Sequence, residues 1–159
     1  ILDMCSSWVS HLPERYSPKS LTILGLNQDE LDANPRATRR VVQDINANPI
    51  LPFDDESFDV ITNVVSVDYL TRPLEVFSEM ARVLRPGGRA VMSFSNRCFP
   101  TKVIDIWART SDLEHVFIVG CYFHFSMGFE RAIAHDLQPA IFGLSDPMYV
   151  VEASKPLPS

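Results

Sequence analysis

Phe58-Asp59-Val60-Ile61-Thr62-Asn63-Val64-Val65 is followed by Pro73-Leu74-Glu75-Val76-Phe77-Ser78-Glu79-Met80-Ala81-Arg82-Val83-Leu84-Arg85, then Pro86-Gly87-Gly88 and Arg89-Ala90-Val91-Met92-Ser93-Phe94-Ser95. The first piece is a β-branched run of the kind that fills a strand buried on both faces. In the second, Leu74, Phe77, Met80, Ala81 and Leu84 recur at three- and four-residue spacing, which predicts a helix with one apolar face. Pro73 suits the first helical position. Arg82 and Arg85 suit the negative end of the helix dipole, and Pro-Gly-Gly closes it. The last piece reads as another strand. Strand, helix and strand in this order make a right-handed crossover between parallel strands.

The same alternation extends in both directions. Upstream, strands are expected at Ile1–Met4, Leu21–Leu26 and Arg40–Ile45, with helices at Trp8–Arg15 and Gln28–Asn34. Downstream, Lys102–Arg109 and Asp112–Phe125 read as helices, and Ala132–Leu137 and Met148–Ala153 as two final strands. The predicted class is therefore α/β, a doubly wound and mostly parallel sheet with helices on both faces. Ligands of such sheets bind beyond the carboxyl ends of the strands, where strand order reverses. Candidate residues then lie at Cys5–Trp8, Asn27, Asp44, Asn63–Ser66 and Ser95–Arg97.

Composition narrows the function classes. The chain has 159 residues, 46% hydrophobic and 21% charged, enough for one self-sufficient core. Three cysteines without CxxC spacing argue against a disulfide scaffold and a cysteine-held zinc. The four histidines are scattered without ligand spacing, so no metal is expected. A net charge of -6 leaves no basic footprint, and nucleic acid is not expected as a partner. No apolar run reaches the roughly 18 residues of a membrane span. The expectation is a soluble, intracellular protein whose compartment is open. Ile1 reads as a strand already under way, so one domain over residues 1–159, shortened at its N-terminus, is expected.

Leu51-Pro52-Phe53-Asp54-Asp55-Glu56-Ser57-Phe58-Asp59-Val60-Ile61 resembles the LPFpdesFDvV stretch of class I S-adenosylmethionine-dependent methyltransferases of the type 11 domain kind. Glu79–Ala90 resembles their helix and Pro-Gly-Gly turn, and Pro147–Lys155 their closing antiparallel strand. The first loop, Cys5-Ser6-Ser7-Trp8, is similar to that of methyltransferase-like proteins of plants and algae, which brings the chloroplast into consideration. The resemblance implies a Rossmann-like, seven-stranded sheet with an antiparallel C-terminal strand, S-adenosylmethionine as cofactor and a small-molecule acceptor.

It also implies a site. The family's glycine-rich first loop corresponds to Asp3-Met4-Cys5-Ser6-Ser7, where Asp3 is kept and every glycine is replaced. Asn27 falls at the acidic position that grips the ribose; an amide there loses charge-assisted strength. Asp44 and Ile45 fall at the adenine-binding position. Asn63 and Val64 follow beside the expected methyl group. Asp68 and Tyr69 are candidate catalytic residues, although Asp68 also reads, and slightly better, as a solvated helix cap. Asn96 and Arg97 are candidates for shaping the acceptor pocket, with an exposed arginine the commoner outcome.

Three readings follow. A working methyltransferase requires the Cys5–Ser7 backbone to turn toward an open pocket. A catalytically silent domain used for protein interaction requires Trp8 or its neighbours to fill that space. A nicotinamide-dinucleotide binder would want the absent GxGxxG.

Overall fold

The computed structural model describes residues 1–137 and 146–158. Its seven strands are β1 (Leu2–Met4), β2 (Thr22–Gly25), β3 (Arg39–Val42), β4 (Phe58–Val64), β5 (Leu84–Phe94), β6 (Ile133–Asp136) and β7 (Tyr149–Ser154). They form one sheet in the order β3-β2-β1-β4-β5-β7-β6. The first five are parallel to one another, while β7 runs antiparallel to both β5 and β6. Strand order reverses at β1, where the chain goes outward to β2 and later returns to β4 on the other side. The doubly wound sheet and its antiparallel end are thus present.

The helices are α1 (Gln28–Asp32), α2 (Pro73–Val83), α3 (Asp105–Ala108) and α4 (Asp112–Phe125), with a 3-10 turn at Val67–Tyr69. The core is built from β1, β4, β5 and β7 against α2 and α4, with Phe77, Phe94 and Phe123 among its largest fully buried side chains. Phe77 and Phe123 meet edge-on at 4.8 Å, a favourable ring geometry.

The two stretches that resemble the family touch each other. The Arg82 guanidinium donates to the carbonyls of Leu51 (2.9 Å) and Phe53 (2.8 Å) and pairs with Glu79 and Asp55. Arg85 pairs with Asp59 at 3.0 Å. These arginines staple the entry of β4 to the end of α2, so the motif is a structural clamp. Gly87, at φ +75°, makes the reversal that an L side chain would resist.

Several expected elements differ. Residues 8–15 form no helix; Pro13, in their middle, removes a donor and clashes with the preceding turn. Trp8 is 64% exposed and neither packs under a helix nor fills a pocket. The Lys102–Arg109 helix shrinks to α3, and the third strand to Arg39–Val42. Leu74, expected on the buried face of α2, is exposed, and Val76 and Val83 are buried instead. Leu74 lies in the first turn, beside Pro49 and Ile50 at a shallow surface groove. The Asp112–Phe125 helix has the predicted bounds. The end of the predicted Ala132–Leu137 strand borders residues outside the described set, and β6 covers Ile133–Asp136.

Candidate cofactor cavity at the switch point

The reversal at β1 leaves a cleft at the carboxyl ends of β1, β2 and β4. A cavity of about 580 Å³ occupies it, within the usual range for a small-molecule site. Cys5, Ser6, Ser7, Asn27, Asp44 and Ile45 all line it. A smaller cavity of about 210 Å³ adjoins it, sharing Cys5–Ser7, Ser66, Tyr69 and Phe99 and adding Asp3, Val64 and His11.

The first loop achieves its turn without glycine. Cys5 itself adopts φ +56°, the left-handed region that ordinarily favours glycine. Burial pushes its thiol up to about 12, with the Asn63 amide beside it pulling the other way. The glycine that matters lies instead on β2. A Cβ at Gly25 would stand 2.3 Å from the Ser6 carbonyl oxygen, and the Ser6 N–H donates to the Leu24 carbonyl at 2.8 Å. The loop therefore lies directly on the end of β2. The strain at Cys5 has a testable sign. Cys5→Gly is expected to be about 1 kcal/mol more stable than Cys5→Ala, reversing the usual ranking, because only glycine adopts positive φ freely. Equal denaturant midpoints for the pair would remove the strain from Cys5.

Asp3 sits behind the loop, buried, and its two oxygens accept from Ser6 Oγ and Thr62 Oγ1, both at 2.6 Å. Burial raises its pKa and these hydroxyls oppose the rise. Its visible work is to hold the loop against β4. Asn63 is buried and lines neither cavity; its Oδ1 has no hydrogen-bond partner among the described residues. Val64 reaches the smaller cavity.

The ribose position is committed otherwise. Asn27 Oδ1 caps α1 by accepting from the backbone of Asp29 (3.0 Å) and Glu30 (3.3 Å), the usual work of an amide at a helix start. Glu30, one turn on, lines the cavity with a carboxylate. Asp44 Oδ1 accepts from the backbone of Asn46 (2.9 Å) and Ala47 (3.3 Å) in an Asx turn. Ile45, almost wholly buried, forms an apolar wall beside it.

Of the opposite wall, sequence reasoning named Tyr69 and missed the rest. Asn46 Nδ2 donates to the Tyr69 carbonyl, and the Thr71 N–H donates to Asn46 Oδ1, each at 2.9 Å. This ties the loop after β3 to the 3-10 turn. Tyr69 Oη accepts from the Phe99 N–H at 2.9 Å, which brings Phe99 and Lys102 over the cavity. No local pattern announces these pairings; they join residues 23 to 30 positions apart.

Asp68 is not a solvated cap. It is 3% exposed, Oδ2 has no hydrogen-bond partner among the described residues, and the residue that precedes α2 is Arg72. Burial pushes its pKa up to about 6, against the pull of Tyr69 and His115. Asn96 and Arg97 are exposed and line neither cavity; Arg97 pairs with Asp146 at 2.5 Å. His124 is exposed, whereas His115 is buried and stacked on Trp107 at 4.0 Å.

A family profile described as a methyltransferase domain matches residues 6–92, more than half of the chain and most of this cleft. The chain belongs to the methyltransferase domain family. A ubiquinone/menaquinone biosynthesis C-methyltransferase of Geobacter sulfurreducens is 33% identical over 87 residues, covering 49% of this chain and 34% of the relative. A phthiotriol/phenolphthiotriol dimycocerosates methyltransferase of Mycobacterium tuberculosis is 38% identical over 81 residues, covering 50% and 30%. The matched stretch of this chain thus spans about a third of the length of these curated relatives. Among solved structures, a SAM-dependent methyltransferase from Aquifex aeolicus superposes with a TM-score of 0.67 at 13% identity, covering 96% of this chain and 79% of that one. The [4+2]-cyclase SpnF superposes with 0.68 at 16% identity, covering 99% and 75%. At such identity the likeness is one of fold, and a cyclase on this fold shows that the fold does not dictate the reaction. The seven-stranded Rossmann-like sheet is common to them. No helix among the described residues is long and apolar enough to cross a membrane.

Proposed function

We propose that the domain binds S-adenosylmethionine in the larger cavity and transfers its methyl group to a small-molecule acceptor at the smaller one. The observation that carries this reading is the open cleft itself. It runs from the Asp44–Ile45 pair at one end to the Cys5–Ser7 turn at the other, with Gly25 bare where the turn lies on β2.

The residues suit the ligand. Ile45 and Leu70 offer apolar walls for a flat base, Asp44 an acceptor for its amino group, and Glu30 an acceptor for ribose hydroxyls in place of the committed Asn27. The Cys5–Ser7 backbone would meet the amino-acid end. S-adenosylmethionine, when bound, supplies an electrophilic methyl group. What remains for the protein is to align an acceptor in line with it and take up any proton the acceptor releases. Tyr69 faces both cavities and Asp68 lies buried behind that wall; they are the candidate catalytic pair. Val9, Val65 and Phe99 border the smaller cavity and favour an acceptor with an apolar body. The quinone and phthiotriol acceptors in the relatives' names are of that kind.

A silent domain used for protein interaction is the second reading. It called for Trp8 or its neighbours to fill the cleft; Trp8 is 64% exposed, and the space beside Cys5, Ser6 and Ser7 is an open cavity.

Calorimetric titration with S-adenosylmethionine and S-adenosylhomocysteine tests the proposal. Binding is expected for wild type and, within about twofold, for Trp8→Gly. Asp44→Asn keeps an oxygen for the Asx turn and removes the charge. It should weaken binding by about tenfold, the loss of one charge-assisted hydrogen bond. A folded wild type that binds neither compound would sink the enzyme reading.

A further inference from the structure

Lys102 reaches the larger cavity from the segment that follows β5, on the wall opposite the first loop. Two hydrogen bonds hold that segment in place: the Phe99 N–H donates to Tyr69 Oη at 2.9 Å, and the Ile104 N–H to the Asp68 carbonyl at 3.0 Å. Between them the chain curls into a turn, with the Lys102 and Val103 N–H groups both donating to the Phe99 carbonyl, at 2.9 and 3.0 Å. The turn folds the lysine back, so that Nζ stands 5.5 Å from the centroid of the Phe99 ring, a favourable seat for an ammonium. Of the described residues that line this cavity, Lys102 alone carries a basic side chain, whereas Glu30 and Asp44 are acids. Among the described residues no carboxylate pairs with it.

The first loop has little left for an anion. Ser6 commits its N–H to the Leu24 carbonyl and its hydroxyl to Asp3. A ligand carboxylate in this cleft therefore meets two protein acids and one cation. Charge complementarity turns it away from Glu30 and Asp44 and toward Lys102. S-adenosylmethionine carries a single carboxylate, on its amino-acid end. Phe99, the ring beneath the lysine, lines both cavities, as do Cys5, Ser6 and Ser7. The cation thus stands by the junction of the two cavities, where that end of the ligand would lie.

We propose that Lys102 recognises the carboxylate of the cofactor, so that the segment after β5 selects the amino-acid end that a glycine-poor first loop is ill equipped to hold. The proposal rests on the reading of the larger cavity as the S-adenosylmethionine site. Lys102 lines that cavity and not the smaller one, which favours the cofactor's carboxylate over an anionic acceptor. A lysine suits the task, because its ammonium is a compact point charge on a flexible stem.

Calorimetry with S-adenosylmethionine and with decarboxylated S-adenosylmethionine, which lacks only that carboxylate, isolates the contact. Wild type is expected to bind the former about fivefold more tightly at low salt, as for an ion pair open to solvent. The preference should shrink as salt is raised. Lys102→Gln should bring the two ligands within about twofold of each other by weakening S-adenosylmethionine alone, and Lys102→Arg should keep the preference. Lys19→Gln, at an exposed lysine that lines neither cavity, removes the same charge and should change nothing. Lys102 is itself exposed, and circular dichroism checks that the fold is kept. A preference that survives Lys102→Gln overturns the proposal and gives the carboxylate to the first loop. Equal weakening of both ligands overturns it as well, since the lysine would then act on the part they share. Wild type that binds the two alike overturns it while leaving the cofactor site standing. Wild type that binds neither sinks the methyl-transfer reading itself, and the proposal with it, before any variant is compared.

Discussion

Gly25→Ala is expected to cost about 3 kcal/mol of stability and to abolish cofactor binding together with it. The added Cβ would stand 2.3 Å from the Ser6 carbonyl oxygen, a backbone atom that cannot rotate away. The Ser6 N–H is already held by the Leu24 carbonyl, and its hydroxyl by Asp3. Relief therefore requires the whole first loop to lift from the sheet, and that loop walls both cavities. The matched comparison is Gly120→Ala, where a Cβ meets open space within a helix. It should gain up to about 1 kcal/mol, because alanine is the better helix former. Thermal unfolding of the two variants should thus move in opposite directions, by about 2–4 °C per kcal/mol in a domain of this size. If Gly25→Ala melted with wild type, the close packing of the loop on β2 would be wrong.

Asp68→Asn is expected to change how stability depends on pH. The native carboxyl, lifted by burial to about 6 from a reference of 3.8, keeps its proton in a range where the unfolded chain has released it. Around this group stand Tyr69 on its own turn, His115 from α4 and the Cys5 thiol from the first loop. Between pH 4 and 6 the native state binds more protons than the unfolded one, so stability falls as pH rises through that window. The fall is about 3 kcal/mol and is complete above pH 6. An asparagine carries no such charge. The variant should match wild type near pH 3.5, gain on it through the window, and be the more stable protein at pH 8. Parallel stability curves for the two proteins would contradict a buried, ionised Asp68. Asp3, whose pKa burial also raises, tilts both curves alike and cancels in the difference.

These two residues also show where sequence reading succeeds and where it stops. The run from Phe58 to Ser95 was legible because its periodicities are set by burial within one crossover; α2 lies where the spacing puts it, while β5 begins at Leu84, ahead of the predicted Arg89, and takes in the Pro-Gly-Gly turn. The Cys5–Ser7, Asn27 and Asp44–Ile45 positions were legible because strand ends at a switch point make a cleft whatever the residues are. Other features depend on distant partners. That Asn27 spends its oxygen on a cap is local chemistry overlooked in favour of a positional analogy. That Asp68 is buried follows from α4 and the segment up to Ile104 closing over it, since Ile104 N–H donates to the Asp68 carbonyl at 3.0 Å. No window around residue 68 contains that information. Residues 8–15 failed for a simpler reason: apolar residues suggested a helix, and Pro13 forbade it. Arg97 sits at a strand end, as expected, but its side chain turns to Asp146.

The same irregular segment leaves the chain with two indoles in opposite settings. Trp8 stands in water between Ser7 and Val9, both of which line the clefts, while Trp107 is buried to 3% exposure and stacked on an imidazole. Their emission should separate by colour, red from the first and blue from the second. A ligand entering the first loop would perturb the red component alone, and unfolding would extinguish the blue one. The protein therefore carries its own pair of optical gauges, one for occupancy and one for integrity, with no label added.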